Sequence, residues 1–365
     1  MTISFARGAP SADLLPIEEL ADCARVALER DGKTVLAYGS GGGYGPLRDW
    51  LAERHGVEPE RVLITNGSLQ AFVFLVEHLS AADGPARILV EAPTYDRPLK
   101  VLARLGAEIV TIPLDDDGLD LDALEHELRT GPRPALLYTI PTFQNPSGRT
   151  LGGERRRRLA ELAGEYELLV LEDDPYGLVR FEGEGEPTIF ELEGGRRVAF
   201  SSSFSKTVAP GVRVGYVVLP ASLAQAITEL AVSTYIAPVL PTQAAVWEFI
   251  RRGSFEPNLS RVCGLLRERR DAMLAGLDRD FPPGTTWSRP QGGYFVWVDL
   301  PDGTDAAGLS ARAAQAGVSF VKGEDFFPDG SGGSSARLAY SAESPEQIDE
   351  GLTRLASLLP EPARA

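Results

Sequence analysis

The sequence is poor in the residues that build metal sites and disulfide frameworks. It contains two cysteines, Cys23 and Cys263, and three histidines, His55, His78 and His126, which are scattered along the chain. Two cysteines outside any Cys-x-x-Cys motif form no disulfide framework. Isolated histidines support neither a zinc site nor a Ser-His-Asp triad. We therefore expect no metal ion in this protein.

Positive charge and long apolar runs are also scarce. The chain has 36 Lys and Arg against 52 Asp and Glu, a formal net charge of −16, and such an acidic surface repels phosphate backbones. No apolar run approaches the roughly 18 residues of a membrane span. The first residues lack the basic and apolar segments of a signal peptide. The sequence thus predicts a cytoplasmic protein that binds neither nucleic acid nor membranes.

Short apolar runs that alternate with helical stretches are abundant. Such runs are typical of strands covered on both faces by helices, and the alternation predicts an α/β protein with a mostly parallel sheet. The predicted strands lie within residues 86–95, 134–146, 166–177, 196–206 and 213–220, and the predicted helices are 68–82, 97–106, 121–130 and 154–166. In the last helix, the basic run Arg155–Arg158 among glutamates indicates a solvated face.

The pattern changes after Pro220. Helices are predicted over 221–280, and a mixture of short strands and helices follows: strands within 287–301, 318–323 and 336–341, and helices over 306–317 and 345–359. This mixture indicates a smaller α+β unit. We therefore divide the chain into an N-terminal segment at 1–35, a large domain at 36–275 and a small C-terminal domain at 276–365.

Chemically active side chains follow several of the predicted strands. They are Tyr95, Asn145, Asp173, Tyr176 and the segment Ser203–Lys206. Ligands bind at the carboxyl ends of the strands in such sheets. Because the fold brings those ends together, we expect one active site at that edge.

The segment Ser203-Phe204-Ser205-Lys206, with Arg213 seven residues further on, indicates a cofactor. A solvated lysine is out of place directly after a buried strand. Two hydroxyls and a guanidinium suit a phosphate dianion, and a lysine beside a carbonyl can form a Schiff base. Together these features describe pyridoxal 5′-phosphate, an aldehyde cofactor that carries a phosphate.

The next candidate is Asp173, which ends a predicted strand, with Tyr176 three residues later. A carboxylate that faces a pyridine nitrogen keeps that nitrogen protonated, and the tyrosine lies within reach of the ring hydroxyl. The alternative is a helix N-cap, because Asp before Pro is common there. Asn145 alone suggests a plain turn, but beside Asp173 and Lys206 it becomes a donor to the ring oxygen.

Two further positions suit anions. Gly67 and Ser68 open a helix after a strand, where backbone amides and a hydroxyl form a phosphate site; a simple N-cap serine is the alternative. Arg337 lies in a short apolar strand and requires an anionic partner. A substrate carboxylate and a structural salt bridge are equally suitable partners.

The chain resembles the fold-type I pyridoxal-phosphate-dependent aminotransferases of class I/II. It is most similar to the 2-aminoadipate aminotransferase subgroup, which also forms the catalytic half of the MocR regulators. The segments that carry this resemblance span nearly the whole chain in the family's order: ISFARGAP, YGPLRDWLA, LITNGSLQA, VEAPTYDRPL, PTFQNPSGRTL, LEDDPYG, SSSFSKTVAPGVRVGY, QGGYFVWVDLP and ARLAYS. The sequence begins at this module with no DNA-binding domain before it, so a regulator is not expected.

The resemblance implies a fold and a set of roles. The fold is a large cofactor-binding domain with a mostly parallel, seven-stranded type of sheet between helices, joined to a small α+β domain on which the N-terminal segment packs. Lys206 is implied to form the Schiff base and to move the proton, and Asp173 to pair the pyridine nitrogen. Tyr176 and Asn145 are implied to hold the ring hydroxyl, and Tyr95 to stack on the ring.

The remaining implied roles concern the phosphate, the substrate and a second subunit. The phosphate residues are implied to be Gly67, Ser68, Leu69, Ser203, Ser205 and Arg213. The substrate residues are implied to be Arg337, which takes the α-carboxylate, with Asn145, Gly8 and Arg7. Tyr38 resembles the tyrosine that reaches the phosphate of the neighbouring subunit, so a homodimer is implied.

We expect an enzyme that transfers the amino group of an L-amino acid to a 2-oxo acid through the Lys206 Schiff base. The alternative is a pyridoxal-phosphate-dependent lyase or synthase of specialised metabolism, in which a quinonoid intermediate leads to β- or γ-elimination, replacement or carbon–carbon bond formation. A protein that binds the cofactor without catalysis is a third hypothesis, and the complete set of Lys206, Asp173 and Tyr176 disfavours it.

Overall fold

The structure is a computed structural model that describes residues 2–80 and 84–359. The end of the predicted helix 68–82 and the last residues of the predicted C-terminal domain lie outside the described residues. The strands are β1 (Ile3–Ser4), β2 (Val62–Thr65), β3 (Arg87–Ala92), β4 (Glu108–Asp115), β5 (Gly118–Leu119), β6 (Leu136–Thr139), β7 (Val170–Asp173), β8 (Val198–Ser203), β9 (Gly215–Val218), β10 (Thr286–Trp287), β11 (Phe295–Asp299), β12 (Val318–Ser319), β13 (Val321–Lys322) and β14 (Ser335–Ala339).

The helices connect these strands and close the small C-terminal unit. They are α1 (Ile17–Val35), α2 (Gly45–His55), α3 (Ser68–Ser80), α4 (Asp96–Leu105), α5 (Leu121–Thr130), α6 (Gly153–Glu165), α7 (Ile189–Glu193), α8 (Ala221–Tyr235), α9 (Leu240–Arg251), α10 (Phe255–Asp280), α11 (Ala306–Gln315) and α12 (Pro345–Ala356). No described helix is long and apolar enough to cross a membrane. A cytoplasmic location stays a prediction.

The large sheet has the strand order β2-β9-β8-β7-β6-β3-β4-β5. Strands β4, β3, β6, β7 and β8 are parallel to one another, whereas β9 is antiparallel to both of its neighbours. The predicted α/β class and mostly parallel sheet are confirmed. The two-residue β5, antiparallel to β4, adds a short eighth strand to the edge.

The central strands are mostly apolar because both faces of the sheet are covered, and their polar residues gather toward the carboxyl ends. Leu137 and Val170 face one core, whereas the adjoining Leu136 and Leu171 face the other. Alternate side chains of a strand point to opposite faces, so a strand between two helical layers has a nearly continuous apolar run. This arrangement places the carboxyl ends of β3, β6, β7 and β8 along one edge.

A third core joins the two chain ends. It contains buried residues of α10, β11, β14 and α12, together with Ile3 and Phe5, and β1 pairs with β12 through Ile3 and Val318. Ile3 and Phe5 therefore pack on the C-terminal unit, whereas Cys23, Ala27 and Val35 of α1 belong to a core of the large domain. The division at 1–35, 36–275 and 276–365 stays a prediction, and its second boundary falls within α10.

Candidate active site

Lys206 follows β8 and points into the edge where the parallel strands end. Its Nζ donates a hydrogen bond to the Gly8 carbonyl at 2.6 Å and lies 5.7 and 5.1 Å from the ring centres of Tyr176 and Tyr294. Burial, helped by positively charged side chains nearby, lowers the pKa of Lys206 to about 8. A larger share of this amine is therefore neutral and nucleophilic than in a solvated lysine.

Asp173 ends β7 with one of its carboxyl oxygens unpaired. Oδ2 accepts a hydrogen bond from the Tyr138 hydroxyl at 2.8 Å, whereas the buried Oδ1 has no hydrogen-bond partner in the described part of the chain. Burial raises the pKa of Asp173 to about 7. An unsatisfied buried acceptor is costly, and a protonated pyridine nitrogen is a donor that would satisfy it. The carboxyl therefore fits pyridoxal phosphate.

The turn after Asp173 presents Tyr176 to the same edge. The Asp174 carboxylate accepts a hydrogen bond from the Gly177 backbone amide at 2.6 Å, and no helix begins there. The alternative of a helix N-cap is therefore wrong. Tyr176 is buried and packs against Tyr294 and Phe295, with ring centres 5.7 and 5.8 Å away.

A cradle of hydroxyl, guanidinium and backbone groups lies beside Lys206. The hydroxyls of Ser203 and Ser205 are 2.9 Å apart, and Arg213 Nη1 donates to the Ser205 hydroxyl at 3.4 Å. Arg213 Nη2 donates to the Asn66 carbonyl at 2.9 Å, which brings the guanidinium to the amino end of α3. This donor set suits a phosphate dianion.

Two glycines allow the backbone to approach closely in this cradle. A Cβ on Gly67, whose φ is +93°, would lie 2.1 Å from Arg213 Nη2, and a Cβ on Gly215 would lie 2.4 Å from the Ser68 nitrogen. The side chain of Leu69 packs against the core on one face of the sheet, which leaves its backbone amide for the cradle. All six predicted phosphate residues are thus brought together.

Arg337, on β14, is buried without an ionic partner. Nη1 donates to Asn145 Oδ1 at 2.8 Å and Nη2 to the Ala6 carbonyl at 2.8 Å, while the buried Nε has no partner among the described residues. The guanidinium carbon lies 4.2 and 4.9 Å from the ring centres of Phe295 and Phe326.

The Arg337 guanidinium therefore has no counter-charge among the residues described. Within residues 2–80 and 84–359 no carboxylate lies within ion-pair distance of it, so the structural salt bridge is wrong. A buried charge needs a counter-charge. A substrate carboxylate is a suitable one, and Asn145 links it to the neighbouring strand ends.

The N-terminal segment packs over Lys206 and Arg337. Ala6 and Gly8 contact Arg337 and Lys206 through their carbonyls, and a Cβ on Gly8 would lie 2.4 Å from Phe295 Cζ. Arg7, between them, has an exposed side chain that makes no hydrogen bond or ion pair among the residues described.

The two remaining tyrosines differ in their placement. Tyr95, at the start of α4, is half-buried, and burial together with the negative charges of Asp96 and Asp173 raises its pKa. It therefore belongs to the cluster. Tyr38 is 88% exposed and does not join the cluster within one chain.

The sequence patterns missed several buried polar residues beside the site. Arg156 is 1% exposed, so the predicted solvated face is wrong for this residue of the basic run. It donates to the carbonyls of Leu151 and Pro141 and to the Thr142 hydroxyl at 2.7, 3.0 and 2.8 Å. These acceptors lie in the loop that carries Asn145, and no local sequence signal reveals them.

The fold and this cluster define a class of protein. A buried lysine of lowered pKa, an unpaired carboxyl oxygen, a phosphate cradle at a helix amino end and a buried guanidinium meet at one sheet edge. Together they form the site of a fold-type I pyridoxal-phosphate-dependent enzyme that acts on a substrate with a carboxylate. Among the residues described, no group of three or more His, Cys, Asp and Glu could hold a metal ion.

The chain belongs to the class I and II aminotransferases, whose family model matches residues 2–355. It is 39% identical to the 2-aminoadipate transaminase of Thermus thermophilus over 98% of this chain and 90% of the relative. It is 35% identical to aromatic-amino-acid aminotransferase 1 of Thermococcus litoralis over 98% of this chain and 88% of the relative.

A solved structure agrees with this family assignment. The α-aminoadipate aminotransferase LysN of Thermus thermophilus, complexed with N-(5′-phosphopyridoxyl)-L-leucine, superimposes with a TM-score of 0.93 at 38% identity, covering 98% of this chain and 92% of that chain. The protein is therefore a pyridoxal-phosphate-dependent enzyme that transfers an amino group from an amino acid to a 2-oxo acid. Nothing in these comparisons supports the lyase or synthase alternative.

Proposed function

We propose that this aminotransferase uses L-amino acids whose side chains are longer than that of alanine, and that Arg337 binds their α-carboxylate. The observation that carries the proposal is the buried guanidinium of Arg337, which has no carboxylate partner in the described chain. Its link to Asn145 Oδ1 at 2.8 Å ties the carboxylate site to the cofactor site.

The relatives support the proposed size of the donor side chain. Two of them are named for 2-aminoadipate and for aromatic amino acids, and the LysN structure contains a phosphopyridoxyl derivative of L-leucine. These amino acids share a long or bulky side chain. We therefore expect the same preference in this chain.

The cofactor-binding residues are proposed to act through hydrogen bonds and packing. Pyridoxal phosphate supplies an aldehyde that condenses with amines and a ring that takes up the electrons released at the substrate Cα. Asp173 Oδ1 would accept the pyridine N–H, and Asn145 and Tyr176 would donate to the ring hydroxyl oxygen. Tyr95 would pack against the ring.

Lys206 is proposed as the group that binds the cofactor and moves the proton. Its neutral Nζ would remove the proton from the substrate Cα and deliver it to the C4′ atom of pyridoxal phosphate. Its lowered pKa, about 8, keeps a useful fraction of the amine neutral. Ser203, Ser205 and Arg213 hold the phosphate during these steps.

We further propose a homodimer in which Tyr38 reaches the phosphate of the partner's site. Tyr38 is 88% exposed, and Leu36, Ile236 and Val239 are 72%, 58% and 51% exposed. Val239 lies beside the phosphate cradle, since its amide contacts Asn66 Oδ1 at 3.5 Å. An exposed apolar patch of this kind is typical of an interface, and a second copy would cover it.

The proposed donor class is tested by a panel of L-amino acids and 2-oxo acids. Each donor is mixed with each acceptor and the loaded enzyme, and the new amino acid is quantified by chromatography. We expect leucine, phenylalanine and 2-aminoadipate to have a higher kcat/KM than alanine, and Arg337→Met to raise the KM of all of them. A preference for alanine, or an unchanged KM in Arg337→Met, would contradict the proposal.

A further inference from the structure

A buried acidic side chain that the proposed mechanism does not use lies behind Asn145. Glu91, on β3, is 2% exposed. Its Oε1 accepts hydrogen bonds from the Thr139 hydroxyl at 2.5 Å and the Ile140 amide at 3.1 Å, and its Oε2 accepts one from Gln144 Nε2 at 2.9 Å. One carboxylate thus joins β3 to the end of β6 and to the loop that follows it.

The partners of Gln144 fix the orientation of its amide. Nε2 also donates to the Pro93 carbonyl at 2.8 Å, and Oε1 accepts from the Ser147 amide at 2.8 Å. Because a carbonyl only accepts and a backbone N–H only donates, a single orientation satisfies both. In that orientation Nε2 presents its other N–H to Glu91, so position 91 must supply an acceptor.

The hydrogen bonds of Gln144 with Glu91 and with the Ser147 amide hold the chain on both sides of Asn145, because Gln144 and Ser147 flank it in sequence. Asn145 in turn accepts the hydrogen bond from Arg337. We propose that Glu91 is a positioning residue: by holding Gln144, it fixes Asn145, and through it Arg337, in the orientation that the cofactor and the substrate require. The inference rests on the proposed function, which assigns Asn145 and Arg337 to the site.

The test compares Glu91→Gln with a matched control. Glu91→Gln keeps the volume but turns an N–H₂ group toward donors, so at least one hydrogen bond is lost. Glu193→Gln is the control: Glu193 is 5% exposed and accepts from the amides of Arg196 and Arg197 at 2.7 and 2.9 Å. It lies before the amino end of β8, at the opposite edge of the sheet.

Both variants are expected to lose thermal stability, but only Glu91→Gln should disturb the site. We expect its kcat/KM for leucine to fall about 10- to 100-fold, as misplaced binding groups commonly cause. We also expect the pH midpoint of the visible absorption band of bound pyridoxal phosphate to shift. Glu193→Gln should leave both quantities unchanged. A Glu91→Gln variant that loses stability alone would overturn the proposal.

Gln144→Met removes the same hydrogen bond, between Gln144 Nε2 and Glu91 Oε2, by changing the donor instead of the acceptor. The double variant Glu91→Gln with Gln144→Met should then lose no more kcat/KM than the worse single variant, because both changes break one connection. Losses that multiply would overturn the proposal. If Glu91→Gln does not fold, Gln144→Met alone must shift the spectral midpoint, and an unshifted midpoint overturns it.

The spectral readout separates this inference from the proposed function. A wild-type enzyme that prefers alanine, or an Arg337→Met variant with an unchanged KM, contradicts the proposed function. The pH midpoint of the bound cofactor in Glu91→Gln still reports whether Glu91 positions Asn145 beside the ring.

Discussion

Three acidic side chains near the active edge are buried, and burial raises the pKa of each to about 7. They are Glu91, Glu172 and Asp173. Glu172 accepts backbone N–H groups from Ile189 and Phe190 at 3.1 and 2.8 Å, whereas Asp173 keeps one oxygen unpaired. Of the three, Asp173 is therefore the carboxyl that gains most when a cofactor nitrogen supplies the missing donor.

The raised pKa of Asp173 gives a pH-dependent prediction for the cofactor-free protein. Between the ordinary value of 3.8 and about 7, the folded protein binds more protons than the unfolded chain. Its contribution to the free energy of unfolding is therefore largest below 3.8 and is lost as the pH rises through 7. Asp173→Asn has no carboxyl at this position and so does not lose this contribution. The melting temperature of the variant minus that of the wild type should therefore increase from pH 5 to pH 8.

The same variant should be catalytically poor. An asparagine does not keep the pyridine nitrogen protonated, so we expect kcat to fall at least about 100-fold, a loss typical of removed electrostatic stabilisation. Melting curves at several pH values and single-turnover rates measure the two effects. Equal pH dependence of melting in both proteins would show that the Asp173 carboxyl titrates normally.

The lowered pKa of Lys206 predicts how fast the protein takes up its cofactor. Its amine titrates near pH 8 instead of 10.5, and only the neutral amine attacks an aldehyde. At pH 7 about one tenth of it is neutral. The rate of visible-band formation after mixing with pyridoxal phosphate should rise to about pH 8 and then level off. A rate that keeps rising past pH 10 would contradict this.

The Arg7 side chain, beside Gly8, makes no hydrogen bond or ion pair with any residue of the described chain. Lys322, on the strand that pairs with the strand of Arg337, is held by Glu324 at 2.5 Å and by Asp325 at 3.8 Å. We therefore expect Arg7→Ala to raise the KM for 2-aminoadipate about 2- to 5-fold, the range for exposed charge pairs, with no effect on leucine. Lys322→Ala serves as the control with little effect. An unchanged KM in Arg7→Ala would assign Arg7 no part in the site.

The sequence patterns identified the site residues that follow strands. They missed the buried residues that hydrogen-bond the loop of Asn145. Lys206, Asp173 and Asn145 are conspicuous because a polar residue ends an apolar run. Glu91 also ends an apolar run, but its partners Thr139 and Gln144 lie 48 and 53 residues further along the chain. Arg156 lies within a basic run and has no such signal. Only the folded chain shows where those acceptors and donors lie.

At the scale of elements, the helices and the covered strands follow directly from apolar spacing. The predicted helix at 121–130 has the bounds of α5, and the strand predicted within 166–177 contains β7. Strand β4 has no such signature. It lies near the edge of the sheet, where only Ile112 of its residues is fully buried, so its sequence has no continuous apolar run.

The turn before α3 gives a prediction at this scale. Gly67 has φ +93°, and a Cβ there would lie 2.1 Å from Arg213 Nη2. Gly67→Ala should displace the guanidinium and weaken the binding of pyridoxal phosphate at least about 10-fold, the cost of a lost charged hydrogen bond. Gly253→Ala is the matched control, because Gly253 has φ +77° but no neighbour within 4 Å.

Fluorescence titration of the cofactor-free proteins with pyridoxal phosphate measures both dissociation constants. The melting temperatures of the two variants measure how much each alanine at a positive φ destabilises the fold. Equal dissociation constants in Gly67→Ala and Gly253→Ala would contradict the assigned cradle.

At the scale of the whole molecule, the exposed Tyr38 predicts shared active sites. A hybrid dimer is prepared from one Lys206→Ala subunit and one Tyr38→Ala subunit. If Tyr38 acts in the partner's site, the intact Lys206 receives an intact Tyr38 from its neighbour, and the hybrid keeps about half of the wild-type kcat with normal cofactor affinity. If Tyr38 acts in its own chain, the hybrid's working site has the weak cofactor affinity of Tyr38→Ala.

The whole chain also shows why the general reaction was easier to predict than its substrate. The residues proposed to bind the cofactor lie at strand ends, whereas those proposed to bind the substrate lie in the N-terminal segment, in β14 and in the loop of Asn145. Ala6 and Arg337 are separated by more than 300 residues in sequence, and no local pattern reports their contact. The preference of the donor side chain therefore rests on the assembled site and on the relatives.

The most direct test of amino transfer is a half-reaction. The protein loaded with pyridoxal phosphate is mixed with L-leucine in the absence of any 2-oxo acid, and the absorption spectrum and products are recorded. We predict loss of the visible band and equal amounts of pyridoxamine phosphate and the 2-oxo acid of leucine, with no conversion in Lys206→Ala. A product with an altered carbon skeleton, or no pyridoxamine phosphate from any amino acid, would contradict the account.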